Sequence, residues 1–428
     1  MALVLIVFLV LLLLGMPVAF AIGISGFLFF VQQPALPLTM PVQLILSGTQ
    51  SFSLLAIPMF IFAGNLLNNT GITSRLVQFA SVLTGHMRGG LAQTSVVLST
   101  LMGGVTGSAI ADASMEARIL GPAMTKRGYD RAYSAVVHGF TSLITIAIPP
   151  GIGLVLYGSI GEVSIGRLFA GGILPGLLMA ALFMIVVSIT SGKKGYLPER
   201  EKRASAKEII PAFISSLWAI FFPIFLLVAL RFGFLIPSEA GAFASVYALA
   251  VGLIAYRELT WKKFLSAVKY TIMDVGMIML LIALSSLVSY GMTWEMIPQT
   301  LSQLLLGISE NPYVITGLIV LMLLVLGMFI DSTVLILLLT SILVPVMKQI
   351  GMDLVHFGVL MVITCATGLL TPPVGLVMYS VCSVMGCSLE DYIRECWPFL
   401  IAMFILIALM LFFPQIILFI PNLIFGKA

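Results

Sequence analysis

Two double prolines interrupt apolar stretches of this sequence. Pro149 and Pro150 form the first pair, and Pro372 and Pro373 form the second. Proline lacks a backbone donor and clashes with the preceding helical turn, so each pair must break a helix. Glycines flank both breaks: Gly151, Gly153, Gly368 and Gly375. Carbonyl groups freed at such a break, if it lies inside a membrane, must be satisfied by protein, water or an ion.

A small polar segment precedes each double proline. Residues 103–114 read GGVTGSAIADAS, and residues 327–335 read GMFIDSTVL. The apolar flanks of the first segment, residues 90–102 and 113–124, are each too short to cross a bilayer. The pattern therefore predicts re-entrant helical hairpins with polar tips. Exposed N–H, C=O and hydroxyl groups at such tips can ligate Na⁺ or a carboxylate, and helix N-termini favour the anion.

One aspartate lies at each predicted tip, Asp112 in the first and Asp331 in the second. An ionisable residue at membrane depth marks a functional site by default, because burying it is costly. Each carboxylate could neutralise a bound cation, carry a proton or cap the second helix of its hairpin. The sequence leaves ligand and cap both open. Neighbouring hydroxyls come from Thr106, Ser108, Ser332 and Thr333.

The composition identifies a polytopic membrane protein. Hydrophobic residues make up 60% of the 428 residues and charged residues 9%, with a mean hydropathy of +1.17. A soluble domain carries about 25% charged residues. The apolar runs do not alternate with polar residues, which argues against a transmembrane barrel. The first 30 residues lack the basic start of a signal peptide and are interpreted as the first span. The histidines do not cluster, the cysteines match no zinc pattern, and we expect no nucleic-acid partner.

The positive charges orient the chain. Lysines and arginines concentrate in the loop 192–208 and in the segment TKRGYDR at 125–131, which are two crossings apart. Because basic loops stay in the cytoplasm, both are assigned to that side. The same parity gives about 11–12 membrane segments and places both termini outside.

Two halves of the chain share a pattern. Each contains P-x-M-x-x-x-G-x-D, beginning at Pro122 and at Pro345, and the double proline follows the aspartate at the same distance. The first copy is basic near Asp130, whereas the second carries only Lys348 beside Asp353. These charges place the two copies in opposite orientations. An inverted-topology repeat is a common plan of secondary transporters.

These residues resemble the large membrane subunit of TRAP (tripartite ATP-independent periplasmic) transporters. The matching stretches include SFSLLAIPMFIFAGNLLNNTGIT, GSAIADA, IPPGIGLVLYG, GMFIDS and LTPPVGL, and they extend over nearly the whole chain. The resemblance implies a bacterial inner-membrane transporter with an elevator mechanism, Na⁺ coupling and no enzymatic activity. It implies two partners, a small four-helix membrane subunit and a periplasmic substrate-binding protein. The implied substrate is an organic acid of the sialic-acid or C4-dicarboxylate type.

The expected fold is all-α, with two re-entrant hairpins and two broken helices in an inverted-repeat, elevator-type arrangement. The expected divisions are scaffold helices at 1–83 with a first transport helix near 54–69, a first transport repeat at 84–161, scaffold at 162–269 with the cytoplasmic loop 192–208, a helix and connection at 270–311, a second transport repeat at 312–386, and a C-terminal helix at 387–428.

The expected ion- and substrate-binding residues are Gly103, Thr106, Gly107, Ser108, Asp112, Pro149, Pro150, Gly153, Gly327, Asp331, Ser332, Thr333, Thr367, Gly368, Thr371, Pro372 and Gly375, with Asn65 as a further candidate. Na⁺ is the expected coupling ion.

Other functions fit the sequence less well. A channel has no need of two inverted broken-helix sites. Neither Asp112 nor Asp331 has the Gly-x-Gly-Asp setting of an intramembrane aspartyl protease. No Walker motif for an ATP-driven pump is present.

Overall fold

The computed structural model describes residues 1–103 and 107–426, and this part of the chain contains helices and no strand. The α-helices are α1 (Ala2–Leu13), α2 (Val18–Gln32), α3 (Met40–Gly48), α4 (Ala56–Asn68), α5 (Ile72–Thr84), α6 (Gly90–Met102), α7 (Ala109–Lys126), α8 (Arg131–Thr141), α9 (Leu143–Ala147), α10 (Ile152–Gly161), α11 (Ile165–Lys194), α12 (Ala206–Arg231), α13 (Pro237–Ala250), α14 (Trp261–Trp294), α15 (Ile297–Ile308), α16 (Pro312–Gly327), α17 (Ser332–Gln349), α18 (Leu354–Gly368), α19 (Leu376–Met385), α20 (Leu389–Phe412) and α21 (Gln415–Phe425). A 3₁₀ turn at Phe52–Leu55 precedes α4, and a π-helical turn at Val251–Ala255 extends α13.

Six of the described helices are long and apolar enough to cross a bilayer, or up to nine spans if each bent helix pair counts as one. The six are α11, α12, α13 with its π-helical extension, α14, α17 and α20. The polytopic α-helical architecture expected from composition is thus confirmed.

The interpretation of the first 30 residues as one span is wrong. The helix ends at Leu13, and a second helix begins at Val18 after Pro17. A Cβ placed on Gly291 would lie 3.1 Å from the ring of Phe29 and 3.3 Å from the sulfur of Met1. Since the start of α1 and the end of α2 meet at one place, the two helices fold back on each other. The sequence run looked continuous because the turn between them, Leu14–Pro17, is itself mostly apolar.

Both predicted hairpins and both predicted breaks are present. Hairpin 1 consists of α6 and α7, and hairpin 2 consists of α16 and α17. The first break, 148–151, separates α9 from α10, and the second, 369–375, separates α18 from α19. The Pro149–Pro150 and Pro372–Pro373 peptide bonds are both cis.

The two repeats interlock, because each hairpin packs on the broken helix of the other copy. A Cβ on Gly153, near the start of α10, would lie 3.1 Å from Ile336 in α17. At the other end of α10, a Cβ on Gly161 would lie 3.3 Å from Thr340. Helices α10 and α17 therefore run parallel. In the same way α7 packs on α19, with the Oγ atoms of Ser114 and Ser380 2.8 Å apart.

This packing sets the hairpins in opposite directions. Hairpin 1 ends at Lys126, and α8 begins close by at Arg131. The open end of hairpin 1 therefore lies on the same side as the start of α8. The chain then crosses through the first break with a bend of only 41°. Helix α17, the second helix of hairpin 2, runs parallel to α10, so the open end of hairpin 2 lies on the far side. Hairpins that open in opposite directions are the geometry of the inverted-topology repeat that the loop charges predicted.

An ion-pair network ties three helices together where hairpin 1 opens. The Nζ atom of Lys194 in α11 donates to Asp130 Oδ2 at 2.9 Å and to Glu395 Oε1 of α20 at 2.7 Å. The hydrogen bond from Lys194 holds the pKa of Asp130, which precedes α8, below its usual range. These contacts fix the start of α8, the end of α11 and the beginning of α20 to one another.

A second group of helices packs beside the interlocked repeats. Helix α4 lies against α13 and α14, and α14 also contacts α2 and α3. Ser245 of α13 donates to the Met59 carbonyl of α4 at 2.9 Å. Of these helices, α2, α4 and α14 form the wall that faces the two hairpin tips.

The backbone contact of hairpin 2 gives a stability prediction. Gly327→Ala should lower the melting temperature of the detergent-solubilised protein, because its Cβ would lie 2.9 Å from the Cys365 carbonyl oxygen and 3.1 Å from the Cα of Gly368. Overpacking of this kind costs about 1–3 kcal/mol. Gly317→Ala in the same helix is the matched control, since its Cβ would meet only Leu411 at 3.6 Å. Equal melting temperatures for the two variants would contradict the proposed contact.

Candidate functional site

The tip of hairpin 1 lies directly against the first break. A Cβ on Gly103 would lie 2.5 Å from the Cβ of Ile148. Gly107 has a φ of +65°, and a Cβ there would lie 2.9 Å from the carbonyl oxygen of Pro150. Both positions require glycine, because a side chain would push the two backbones apart. Thr106, expected to supply a hydroxyl, falls outside the described residues.

The tip of hairpin 2 covers the second break in the same way. A Cβ on Gly368 would lie 2.5 Å from the Cα of Gly327, so the two backbones are in contact. The N–H of Gly375 donates to the carbonyl of Met328 at 2.9 Å. A backbone group beside the break is thus satisfied by the hairpin, as a membrane interior requires.

The two tip aspartates have different roles in the backbone. Asp331 caps α17, and its Oδ1 accepts the N–H of Thr333 at 2.8 Å. Asp112 lies inside the first turn of α7, where it is 1% exposed, and the N-cap of that helix is Ser108. The capping interpretation therefore holds for Asp331 and is wrong for Asp112, because α7 begins earlier than the sequence pattern indicated.

Two buried threonines line up at the second break, Thr367 just before it and Thr371 within it. Thr367 Oγ1 donates to the carbonyl of Ile363 at 2.8 Å, and Thr371 Oγ1 donates to that of Thr367 at 2.9 Å. Each hydroxyl donates its proton to a backbone carbonyl. The lone pairs of its oxygen remain able to accept a hydrogen bond or to coordinate a cation.

A cavity of about 900 Å³ opens between the two hairpin tips and helices α2, α4 and α14. We call it the central cavity. The candidates on its wall are Asn65, Gly107, Ser108, Gly153, Asp331, Ser332 and Thr333. The other candidates in the described part of the chain lie off this wall: Gly103, Asp112, Pro149, Pro150, Gly327, Thr367, Gly368, Thr371, Pro372 and Gly375. The structure thus brings residues of both repeats to one cavity.

Three helices begin at the wall of the central cavity. They are α7 from Ala109, α10 from Ile152 and α17 from Ser332. The unpaired N–H groups and dipole of a helix N-terminus attract anions. Among the described lining residues the charged side chains are Asp274 and Asp331, and none is basic. The cavity can offer an anion backbone N–H groups and offer a cation carboxylate oxygens.

Three polar residues of this wall were not among the sequence-based candidates: Asn68, Ser114 and Asp274. Ser114 is the last residue of the polar segment 103–114. Asp274 could have been found, because it is a lone acid in a long apolar run. Asn68 gave no separate signal, since it lies in the polar run Asn68–Gly71 that ends α4.

Sequence reasoning also missed a buried polar cluster behind hairpin 1. Glu116 of α7 is 0% exposed and accepts hydrogen bonds from the hydroxyls of Ser95 and Ser99 in α6 and of Thr141 in α8. The Nδ1 atom of His138 lies 3.0 Å from Ser95 Oγ and 3.7 Å from Glu116 Oε2. The cluster joins α6, α7 and α8, and so holds the tip of hairpin 1 against the first break. Its residues lie on three helices, and only the fold brings them together.

Opposed hairpins, paired broken helices and a cavity at their tips define an inverted-repeat membrane transporter. The YdaH transporter of Alcanivorax borkumensis superposes with a TM-score of 0.64 at 11% identity, covering 86% of each chain. MtrF of Neisseria gonorrhoeae superposes at 0.55 and 14%, covering 88% of this chain and 84% of that one. At such identities the likeness concerns the fold alone.

The chain belongs to the DctM family, described as "Tripartite ATP-independent periplasmic transporter, DctM component", which matches residues 5–416. It is 35% identical over 414 residues to the sialic acid TRAP transporter large permease SiaM of Vibrio cholerae, covering 96% of both chains. It is 33% identical over 411 residues to the 2,3-diketo-L-gulonate TRAP transporter large permease YiaN of Escherichia coli, covering 95% of both. The sialic acid TRAP permease SiaT of Haemophilus influenzae is 31% identical over 420 residues, which are 98% of this chain and 68% of that protein. The resemblance found in the motifs is confirmed.

The buried cluster gives a prediction for stability. Glu116→Ala should destabilise the protein, because the hydroxyls of Ser95, Ser99 and Thr141 would lose their shared acceptor in a closed interior. An unsatisfied buried polar group costs about 1–3 kcal/mol. Thermal unfolding followed by size-exclusion chromatography measures the effect, with the exposed Glu310→Ala as control. A Glu116→Ala protein that melts with the control would show that the cluster does not hold hairpin 1.

Proposed function

We propose that this protein is the transport subunit of a Na⁺-coupled system that takes an organic acid across the inner membrane by an elevator mechanism. One observation carries the proposal: helix N-termini from both repeats meet at a cavity that has no basic side chain among its described lining residues. A carboxylate can be received there by backbone N–H groups.

The charge of the central cavity favours coupling to a cation. Asp274 and Asp331 make the described wall negative before an anionic substrate arrives. Because like charges in a low-dielectric site repel strongly, the substrate needs co-bound cations. Oxygen atoms suited to Na⁺ come from Asp331, Ser108 and the threonines at the second break, Thr367 and Thr371. Binding of Na⁺ and of the acid would then depend on each other, which is what symport requires.

The relatives support the nature of the substrate and the partners. Their names refer to sialic acid, 2,3-diketo-L-gulonate and isethionate, which are all anions. This chain matches 68% of the length of SiaT. We infer that the present chain works with a small membrane subunit and with a periplasmic binding protein that delivers the acid.

The packing is suited to movement of the repeats as one body. Hairpins and broken helices interlock across the two copies, and α4, which packs against α13 and α14, lies beside them. The central cavity lies between these two groups, with the hairpin tips on one side and α2, α4 and α14 on the other. Sliding the interlocked repeats along this wall would carry the cavity from one face of the membrane to the other.

Reconstitution tests the coupling. Proteoliposomes that contain this chain and its small subunit, with the binding protein outside, should accumulate labelled organic acid only under an inward Na⁺ gradient. The physical reason is the negative charge of the cavity. A K⁺ gradient of the same size and an omitted binding protein are the controls. Uptake that persists in either control would overturn the proposal.

Substitutions at the tips test the placement of the ion. Ser108→Ala and Asp331→Asn should raise the Na⁺ concentration needed for half-maximal uptake several-fold, since each removes oxygen ligands or charge from the cavity wall. Thr300→Ala is the control, because that threonine is exposed on α15 and bonds only to the carbonyl of Met296. If both tip variants keep the Na⁺ dependence of the control, the ion lies elsewhere.

A further inference from the structure

The wall opposite the hairpin tips carries an acid inside the membrane. Asp274 lies thirteen residues into α14, which is about 20 Å along the helix from Trp261. A carboxylate at such a depth is costly unless it faces water or a partner, and Asp274 lines the central cavity. It lies outside the sequence motifs and the internal repeat.

An amide holds Asp274 in place. Asn65 of α4 donates through Nδ2 to Asp274 Oδ2 at 3.2 Å and shares this group with Thr271 Oγ1, also at 3.2 Å. Thr271 in turn donates to the Ala267 carbonyl at 2.8 Å. In the described structure this amide is the hydrogen-bond donor to Asp274, and an ionised carboxylate has room for about three more. The remaining lone pairs are available to a ligand in the cavity.

Asn68 adds an acceptor beside this pair. It lies one helical turn after Asn65 on α4, lines the same cavity, and its Oδ1 is buried without a hydrogen-bond partner in the described residues. Protein atoms cover this oxygen, so it is Asp274, which is exposed on the cavity wall, that offers acceptor lone pairs to a ligand.

The two sides of the cavity therefore favour different chemical groups of a ligand. Helix N-termini at the hairpin tips favour a carboxylate, whereas Asp274 favours donors such as hydroxyls. A second carboxylate placed near Asp274 would be repelled, because no basic side chain among the described lining residues compensates it. The volume of about 900 Å³ has room for a ligand larger than a four-carbon acid.

We propose that Asp274, positioned by Asn65, is a specificity-determining residue that selects polyhydroxylated monocarboxylic acids over dicarboxylic acids. This inference rests on the proposed function, since it assumes that the central cavity receives the acid. Of the two substrate types implied by the family resemblance, this inference favours the sugar-acid type and assigns the selection to Asp274.

Equilibrium binding tests the selection without the binding protein, whose own specificity would mask it. The complex of this chain with its small subunit in nanodiscs is titrated at high Na⁺ with labelled N-acetylneuraminate and, separately, with labelled succinate. The wild-type complex should bind the sugar acid much more tightly. Asp274→Asn should weaken sugar-acid binding about tenfold and leave succinate binding unchanged or stronger, because the repulsion is removed.

The controls separate selection from a general loss of structure. Glu310→Gln removes an exposed charge outside the cavity and should leave both affinities unchanged. Asp274→Glu keeps the charge and should keep the exclusion of succinate. Melting temperatures of all variants are measured beside the affinities.

The outcomes distinguish this inference from the proposed function. If the wild-type complex binds acids in a Na⁺-dependent way but Asp274→Asn weakens both ligands equally or neither, the selection by Asp274 is overturned and the proposed function stands. If the wild-type complex binds succinate as tightly as the sugar acid, the selection by Asp274 is likewise overturned and the proposed function stands. If no acid binds with Na⁺ dependence, both are overturned.

Discussion

The structure depends on one constraint, the satisfaction of a broken backbone inside a membrane. Helices broken at double prolines leave polar groups at a depth where lipid offers no hydrogen bond. The protein covers each break with the tip of a re-entrant hairpin, through contacts so close that Gly327 and Gly368 touch backbone to backbone. Once this contact is fixed, the tips, the breaks and the N-termini of α7, α10 and α17 must share one region. The central cavity follows from that geometry.

The same constraint explains why a polar site can exist without basic residues. A lysine or arginine in the cavity would hold an anion permanently and would have to be desolvated during movement. Helix N-termini supply a weaker, directional attraction that depends on the backbone alone. Under the proposed function, the acidic groups on the wall would make binding of the acid conditional on a cation, because neither half of the site would be neutral without the other.

Much of this could be predicted from the sequence, for local reasons. Prolines and glycines act on their own backbone, so the breaks and hairpins were placed nearly to the residue, and the loop charges gave the opposed orientation. What depended on distant packing could not be predicted. The fold-back of α1 on α2 was hidden in an apolar run, and the Glu116 cluster comes from three helices. Asp112 was taken for a possible cap because the start of α7 depends on how its tip meets the first break.

The cavity wall shows the limit most clearly. Candidates from the two hairpins did converge, but Asp274 and Asn68 belong to helices whose sequences carry no repeat and no interruption. Asp274 stands out in the sequence as a lone acid in an apolar run, but the place of both residues opposite the tips appears only in the fold. A residue that selects a ligand from across a cavity leaves little trace in local sequence pattern.

The central claim is that the acid and Na⁺ meet at the hairpin tips, and a cryo-electron microscopy structure of the complex with both bound tests it most directly. The expected result is a carboxylate within hydrogen-bond distance of the N-termini of α7, α10 or α17, with Na⁺ coordinated beside a tip. Density for the acid away from both tips, or a bound acid with no ion beside the tips at high Na⁺, would contradict the claim.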